Sequence, residues 1–154
     1  GSTRIGYGLI EKNTKLTLIT YGVLEITATS ASDRLHELSS RFKALLDQWK
    51  PDFAGVETLY FSKNQKTALS VAESRGVLIL HLVERGIPIK ELRPGDVKIA
   101  VANYALADKA AVAKMVKKIL GTAELSGYDD ASDALAIAIA AAGAHGWEKR
   151  LAAA

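Results

Sequence analysis

The segment DFAGVE, residues 52–57, decides how this chain is to be read. Pro51 ends the helical pattern before it, and its short apolar run reads as a strand that finishes on a carboxylate, Glu57. The loop TLYFSKN, residues 58–64, then leads into a helical stretch from about Gln65 to Glu84, stopped by Gly86. IPIKEL, residues 87–92, reads as the next strand and RPGD, residues 93–96, as a turn. Strand, helix and strand in that order read as part of an α/β layered arrangement.

Toward the N-terminus, Ile5, Tyr7 and Leu9 alternate with other residues, and so do Leu16, Leu18, Thr20, Gly22, Leu24 and Ile26. With turns at EKNTK, residues 11–15, and near Gly22, this predicts a three-stranded antiparallel meander. TSASD, residues 29–33, is a loop and N-cap signal, and Leu35, Leu38, Phe42, Leu45, Leu46 and Trp49 follow at helical spacing. Toward the C-terminus the pattern predicts a short helix near 97–103, a helix over 109–120 capped by Asp108 and closed by Gly121, and a last helix starting near Asp129. A meander followed by alternating helices and strands is an α/β layered domain with a mixed sheet. No repeat or linker divides the chain, so residues 1–154 are expected to form one domain.

The composition narrows the class. The chain is 49% hydrophobic and 24% charged, as a globular domain is, and it has no cysteine for disulfides or thiolate metal sites. No apolar run approaches the ~18 residues of a membrane span, and no charged-then-apolar leader is present, so a soluble, cytoplasmic protein without membrane contact is expected. A net charge of +3 leans only mildly toward polyanionic partners. In the helix over 65–84, Val71, Leu78 and Leu82 share one stripe while Leu69, Leu80 and Val83 share another. A helix apolar on two sides needs two covers, either simple burial or a subunit interface.

YDDASDALAIAIA, residues 128–140, begins with three aspartates and then turns apolar. Aspartate near a helix start satisfies free N–H groups and the helix dipole, which accounts for one or two of them. Asp133 is already a turn inside, and residues three apart share a face, so Asp130 and Asp133 converge. Like charges that close repel unless a cation lies between them. Glu57, read alone, is equally well the first residue of a loop; taken with Asp130 and Asp133, it completes an all-oxygen set suited to Mg²⁺ or Mn²⁺. Such carboxylates support two-metal phosphodiester hydrolysis, for which three are few and a fourth should come from elsewhere.

Other chemistries lack their residues. His36, His81 and His145 show no metal-ligand spacing, there is no nucleophile elbow, and GYG at 6–8 is too short for a phosphate-binding loop. Lys114, Lys117 and Lys118 read as a solvated helix face, whereas Lys63, beside Tyr60 and Phe61, joins aromatics to a phosphate-holding charge.

The segments GSTRIGYGLI, PDFAGVETLYFSKNQKTALSVAESRGV and DDASDALAIAIA together resemble the RuvC family, bacterial Holliday junction resolvases with an RNase H-like fold, over almost the whole chain. The resemblance implies an RNase H-like mixed five-stranded sheet with helices on both faces. It also places an aspartate-bearing first strand immediately upstream of Gly1, so the first strand reads as truncated and cleavage by this chain as impaired. It implies catalytic and metal-binding roles for Glu57, Asp130 and Asp133, with Asp129 a cap or outer charge. It implies DNA contacts at Tyr60, Phe61, Lys98 and Lys109, although NYALAD, residues 103–108, stands where the family often has glycines. The implied activity is Mg²⁺-dependent symmetric nicking of two opposed strands of a four-way DNA junction by a homodimer, leaving 5′-phosphate and 3′-hydroxyl ends. The implied partners are the RuvA and RuvB branch-migration proteins. A junction-binding protein without cleavage and another RNase H-like nuclease are the competing readings.

Overall fold

The computed structural model describes residues 3–58, 65–126 and 129–153, without the side chains of residues 65 and 146–153. Its elements are β1 (Arg4–Lys12), β2 (Leu16–Glu25), α1 (Ala31–Trp49), β3 (Ala54–Glu57), α2 (Gln65–Glu84), β4 (Ile89–Leu92), α3 (Pro94–Ala102), α4 (Lys109–Leu120) and α5 (Asp129–Ala153). The helices start and stop where local chemistry dictates. Ser30 caps α1 by accepting from the Asp33 N–H, and Lys50 ends it in the left-handed conformation just before Pro51. Asp108 caps α4 through the Ala111 N–H at 2.8 Å, and Gly121 closes it with φ 65°.

Two local expectations are corrected. The meander has two strands, because β2 runs unbroken through Gly22, which pairs with Tyr7. A Cβ at Gly22 would stand 2.7 Å from Tyr7 Oη, so this glycine makes room for a cross-strand ring and is no turn. RPGD is not a free turn but the opening of α3, where Pro94 occupies the first helical position and Asp96 accepts from the Arg93 N–H at 3.3 Å.

The α/β class holds, but the described residues do not form a single five-stranded sheet. β1 and β2 pair antiparallel, β3 and β4 pair parallel, and each pair is its own sheet. The sheets stay separate because β1 and β3 border a common cleft of about 750 Å³ instead of bonding to each other. α5 runs past both strands and holds the two sheets in place. Gly6 and Gly8 let β1 lie close on it: a Cβ at Gly6 would overlap the Asp130 carbonyl oxygen, and one at Gly8 would stand 2.5 Å from Leu135 Cδ2. Gly55 does the same for β3, where a Cβ would stand 2.6 Å from Ala141 Cβ.

Behind α5, Val97 and Val101 of α3 and Val112 and Val116 of α4 pack with Leu135 and Ile139 into the main core. Phe42 and Leu45 of α1 and Val71 and Leu78 of α2 face the cleft. α1 and α2 are locked together by Ser39 Oγ and His81 Nε2 at 2.7 Å, with the Phe42 ring edge-on to the imidazole. His81 is thus a packing residue, and His145 stacks on Phe53 with centroids 4.2 Å apart. Among the described residues no helix is long and apolar enough to cross a membrane.

Candidate active site

The parallel register pairs Glu57 with Leu92, and the Thr58 N–H extends the ladder to the Leu92 carbonyl at 2.8 Å. Glu57 is therefore the last residue of β3, held at the carboxyl end of a parallel strand, where α/β folds gather their sites. Arg75 of α2 reaches the Glu57 carbonyl oxygen at 3.5 Å and pairs with Glu91, tying the crossover helix to this strand end.

Asp130 and Asp133 come from the first turns of α5, and both border the cleft beside Glu57. The Glu57 carboxyl is pushed above its ordinary range, first by desolvation and then by the Asp133 charge, with Lys98 opposing. By surface area Glu57 is exposed, yet its carboxyl feels this desolvation because cleft walls surround it without covering it. Asp133 lies 3.4 Å from Lys109 Nζ, and Asp129 lies 3.7 Å from the same ammonium. Lys109 is held above its usual range chiefly by the Asp133 charge. Asp130 pairs with Arg4 Nε at 3.6 Å.

The structure thus brings Glu57, Asp133, Lys98 and Lys109 together and sets Asp130 on the same rim. Among the described residues no three acidic or histidine side chains stand close enough to hold an ion between them. Asp130 leans on Arg4 and Asp133 on Lys109, so cationic side chains meet the negative charge that a metal would otherwise meet. The donor set is nonetheless all carboxylate oxygen, the kind hard divalent cations take, and the Glu57–Asp133 repulsion is what such an ion relieves.

Tyr60, Phe61 and Lys63 lie outside the described residues. Asp129 is inside the first turn of α5 rather than beyond its end, and its side chain is exposed. Sequence reasoning missed Arg4 and Arg75. Neither carries a spacing signal; each matters through contacts made across the fold.

Comparison with known proteins places this arrangement. A family model described as "Crossover junction endodeoxyribonuclease RuvC" matches residues 1–141. The chain is 42% identical over 141 residues to a protein of that name from Syntrophomonas wolfei, covering 90% of this chain and 82% of the other. Its likeness to one from Chloroflexus aurantiacus is 44% identity over 141 residues, covering 90% and 86%. Two solved Thermus thermophilus RuvC structures superimpose at 30% identity, each covering 92% of this chain. One has a TM-score of 0.82 with 89% of its own chain covered. The other, in complex with a Holliday junction substrate, has a TM-score of 0.85 with 88% covered.

Proposed function

The chain belongs to the RuvC family of crossover junction endodeoxyribonucleases, and from that premise we propose how it resolves Holliday junctions. Glu57, Asp130 and Asp133 are the catalytic carboxylates, and the observation that carries this reading is that all three, from β3 and α5, line one cleft, with the Asp133 charge acting on Glu57. They would hold Mg²⁺, for which Mn²⁺ can substitute. A divalent cation bound there supplies activation of water and charge stabilisation at the phosphate. The chain's own residues do the rest. Lys98 and Lys109, already beside the carboxylates, take non-bridging phosphate oxygens and fix the scissile strand. Tyr60, Phe61 and Lys63, in the segment between β3 and α2, are the remaining proposed DNA contacts.

The finer fold follows the same reading, with residues 1–154 in one RNase H-like domain. A further extended strand laid in the cleft between β1 and β3 would join the two small sheets into one mixed five-stranded sheet, and an aspartate on it would supply a fourth carboxylate. Leu69, Leu80 and Val83 of α2 are 64%, 56% and 61% exposed, forming an outward apolar stripe suited to a two-fold homodimer. That symmetry matches paired nicks in two opposed strands, leaving 5′-phosphate and 3′-hydroxyl ends. RuvA and RuvB are the proposed partners and the cytoplasm the proposed location.

The test is nicking of a labelled synthetic four-way junction with Mg²⁺, by this chain and by a version extended upstream with an aspartate-bearing strand. Paired nicks by the extended form, abolished by Glu57→Gln while junction binding persists, support the reading. Tight binding with no nicks from either form leaves a junction-binding protein. Cleavage of duplex or RNA hybrids in preference to junctions leaves another RNase H-like nuclease.

A further inference from the structure

Apart from Ile19 and Trp49, the exposed large apolar residues among those described fall into two groups. One is the α2 stripe. The other is Ile99, in the last turn of α3, with Tyr104 and Leu106 of the α3–α4 connection, which are 51%, 58% and 77% exposed and fall within eight residues. Single exposed leucines are ordinary, but three such residues gathered at one helix end and the turn that follows it are not.

The turn is built to stay in place. Asn103 ends α3 in the left-handed conformation, φ 60°, with its N–H bonded to the Ile99 carbonyl at 2.9 Å. The Ala107 N–H bonds back to the Tyr104 carbonyl at 3.1 Å, Ala107 is 5% exposed in the core, and Asp108 caps α4. Tyr104 and Leu106 therefore project from a short arch anchored at both ends. Ordering them against a ligand costs little conformational entropy.

The charges on either side of the arch identify the ligand. Lys98 is near enough to Glu57 to act on its charge, and Lys109 lies 3.4 Å from Asp133, so both flanks of the arch return to the acidic cluster. Leu106 is three residues from Lys109, which keeps their Cα atoms within about 11 Å. Apolar side chains between phosphate-attracting ammonium groups match a polyanion that offers apolar faces of its own, which nucleobases do.

We propose that Tyr104 and Leu106 are positioning residues that press against a base step beside the scissile phosphate. The pair favours DNA whose bases are already partly unstacked, as at a crossover, over continuous duplex. Unstacking a base step in intact duplex has a cost that a crossover has already met, so this contact discriminates structure without reading sequence. The inference rests on the junction-resolving reading above.

The experiment uses a synthetic four-way junction carrying 2-aminopurine at the crossover and a linear duplex of the same sequence, with the wild-type chain and the Tyr104→Ser/Leu106→Ser double variant. Both side chains are exposed, so the fold should tolerate the change; circular dichroism and thermal unfolding establish that. The wild type should raise 2-aminopurine fluorescence on the junction. The double variant should lose that rise and bind the junction about 10- to 100-fold more weakly, with duplex affinity and salt dependence within about twofold of wild type. Tyr104→Phe should retain the fluorescence rise. Unchanged junction affinity and fluorescence in the double variant overturn the proposal and return the patch to a protein partner. Equal losses on junction and duplex overturn it too, since the residues would then act without discrimination. A wild type that does not prefer the junction overturns the parent reading, and only the wild-type arm reports that.

Discussion

Replacing Gly55 by alanine tests whether the site depends on close contact between β3 and α5. The added methyl would stand 2.6 Å from Ala141 Cβ and 3.2 Å from both Ile137 Cγ2 and the Ile137 carbonyl oxygen. Carbons rest about 3.5–4.0 Å apart, so strand and helix must separate by about 1 Å. Ala141 is fully buried and one of the obstructing atoms is backbone, so no side-chain rotation relieves the overlap. Overpacking of this kind costs about 1–3 kcal/mol, and the rigid neighbours put Gly55→Ala in the upper half of that range. Ala141→Gly removes the principal obstacle; alone it costs about 1–2 kcal/mol, from glycine's poor helix propensity and one lost buried methyl.

Combined, the two changes should cost about 2 kcal/mol, well short of their sum, a coupling of about 1–3 kcal/mol. Urea unfolding of the wild type, both single variants and the double variant measures this directly. Junction nicking should follow the same pattern. Glu57 is two residues beyond Gly55 and Asp133 is two turns before Ala141, so separating β3 from α5 separates the two carboxylates. A 1 Å misplacement costs up to about 100-fold in rate, and the double variant should recover most of the loss. Strictly additive stabilities, or a neutral Gly55→Ala, would refute the claim that glycine-mediated contact with α5 builds the site.

Two further outcomes follow from local chemistry. The Glu37 carboxylate accepts from the Ala28 N–H at 2.9 Å and the Thr27 N–H at 3.1 Å, and these bonds, Ala28 first, hold its pKa below 4.5. A depressed folded-state pKa stabilises above the unfolded value and is lost as pH falls through the folded one, so between about pH 5 and 3 the wild type should lose more stability than Glu37→Gln in urea titrations. Gly76, inside α2, has nothing within 4 Å of where a Cβ would sit, so Gly76→Ala should stabilise the monomeric chain by about 0.5–1 kcal/mol, read as a higher urea midpoint in dilute solution.

Much of this molecule was legible in one dimension. The span of α2, the start of α4 at its Asp108 cap and the start of α5 at its acidic turn follow from periodicity and capping, which act within a few residues. The division of α2 into two apolar stripes was legible for the same reason, but only the tertiary packing shows that Leu69, Leu80 and Val83 face outward while Leu82 is buried. Gly22 was misread because a glycine in a strand pattern looks alike whether it turns the chain or makes room for a ring, and only its pairing with Tyr7 distinguishes the two.

What the sequence by itself determined is therefore the helical elements apart from the opening of α3, the Asp108 cap, and the acidic turn that begins α5. Tertiary structure decided how the strands divide into two sheets and how the charges pair. Arg4 lies 126 positions from Asp130 in the chain, and Glu57 lies 76 positions from Asp133. Gly6, Gly8 and Gly55 let both strands lie against α5, and that packing brings these charges together. No period in the sequence encodes such a distance. Electrostatic pairing depends on separation in space, and the packing of α5 against both strands sets that separation.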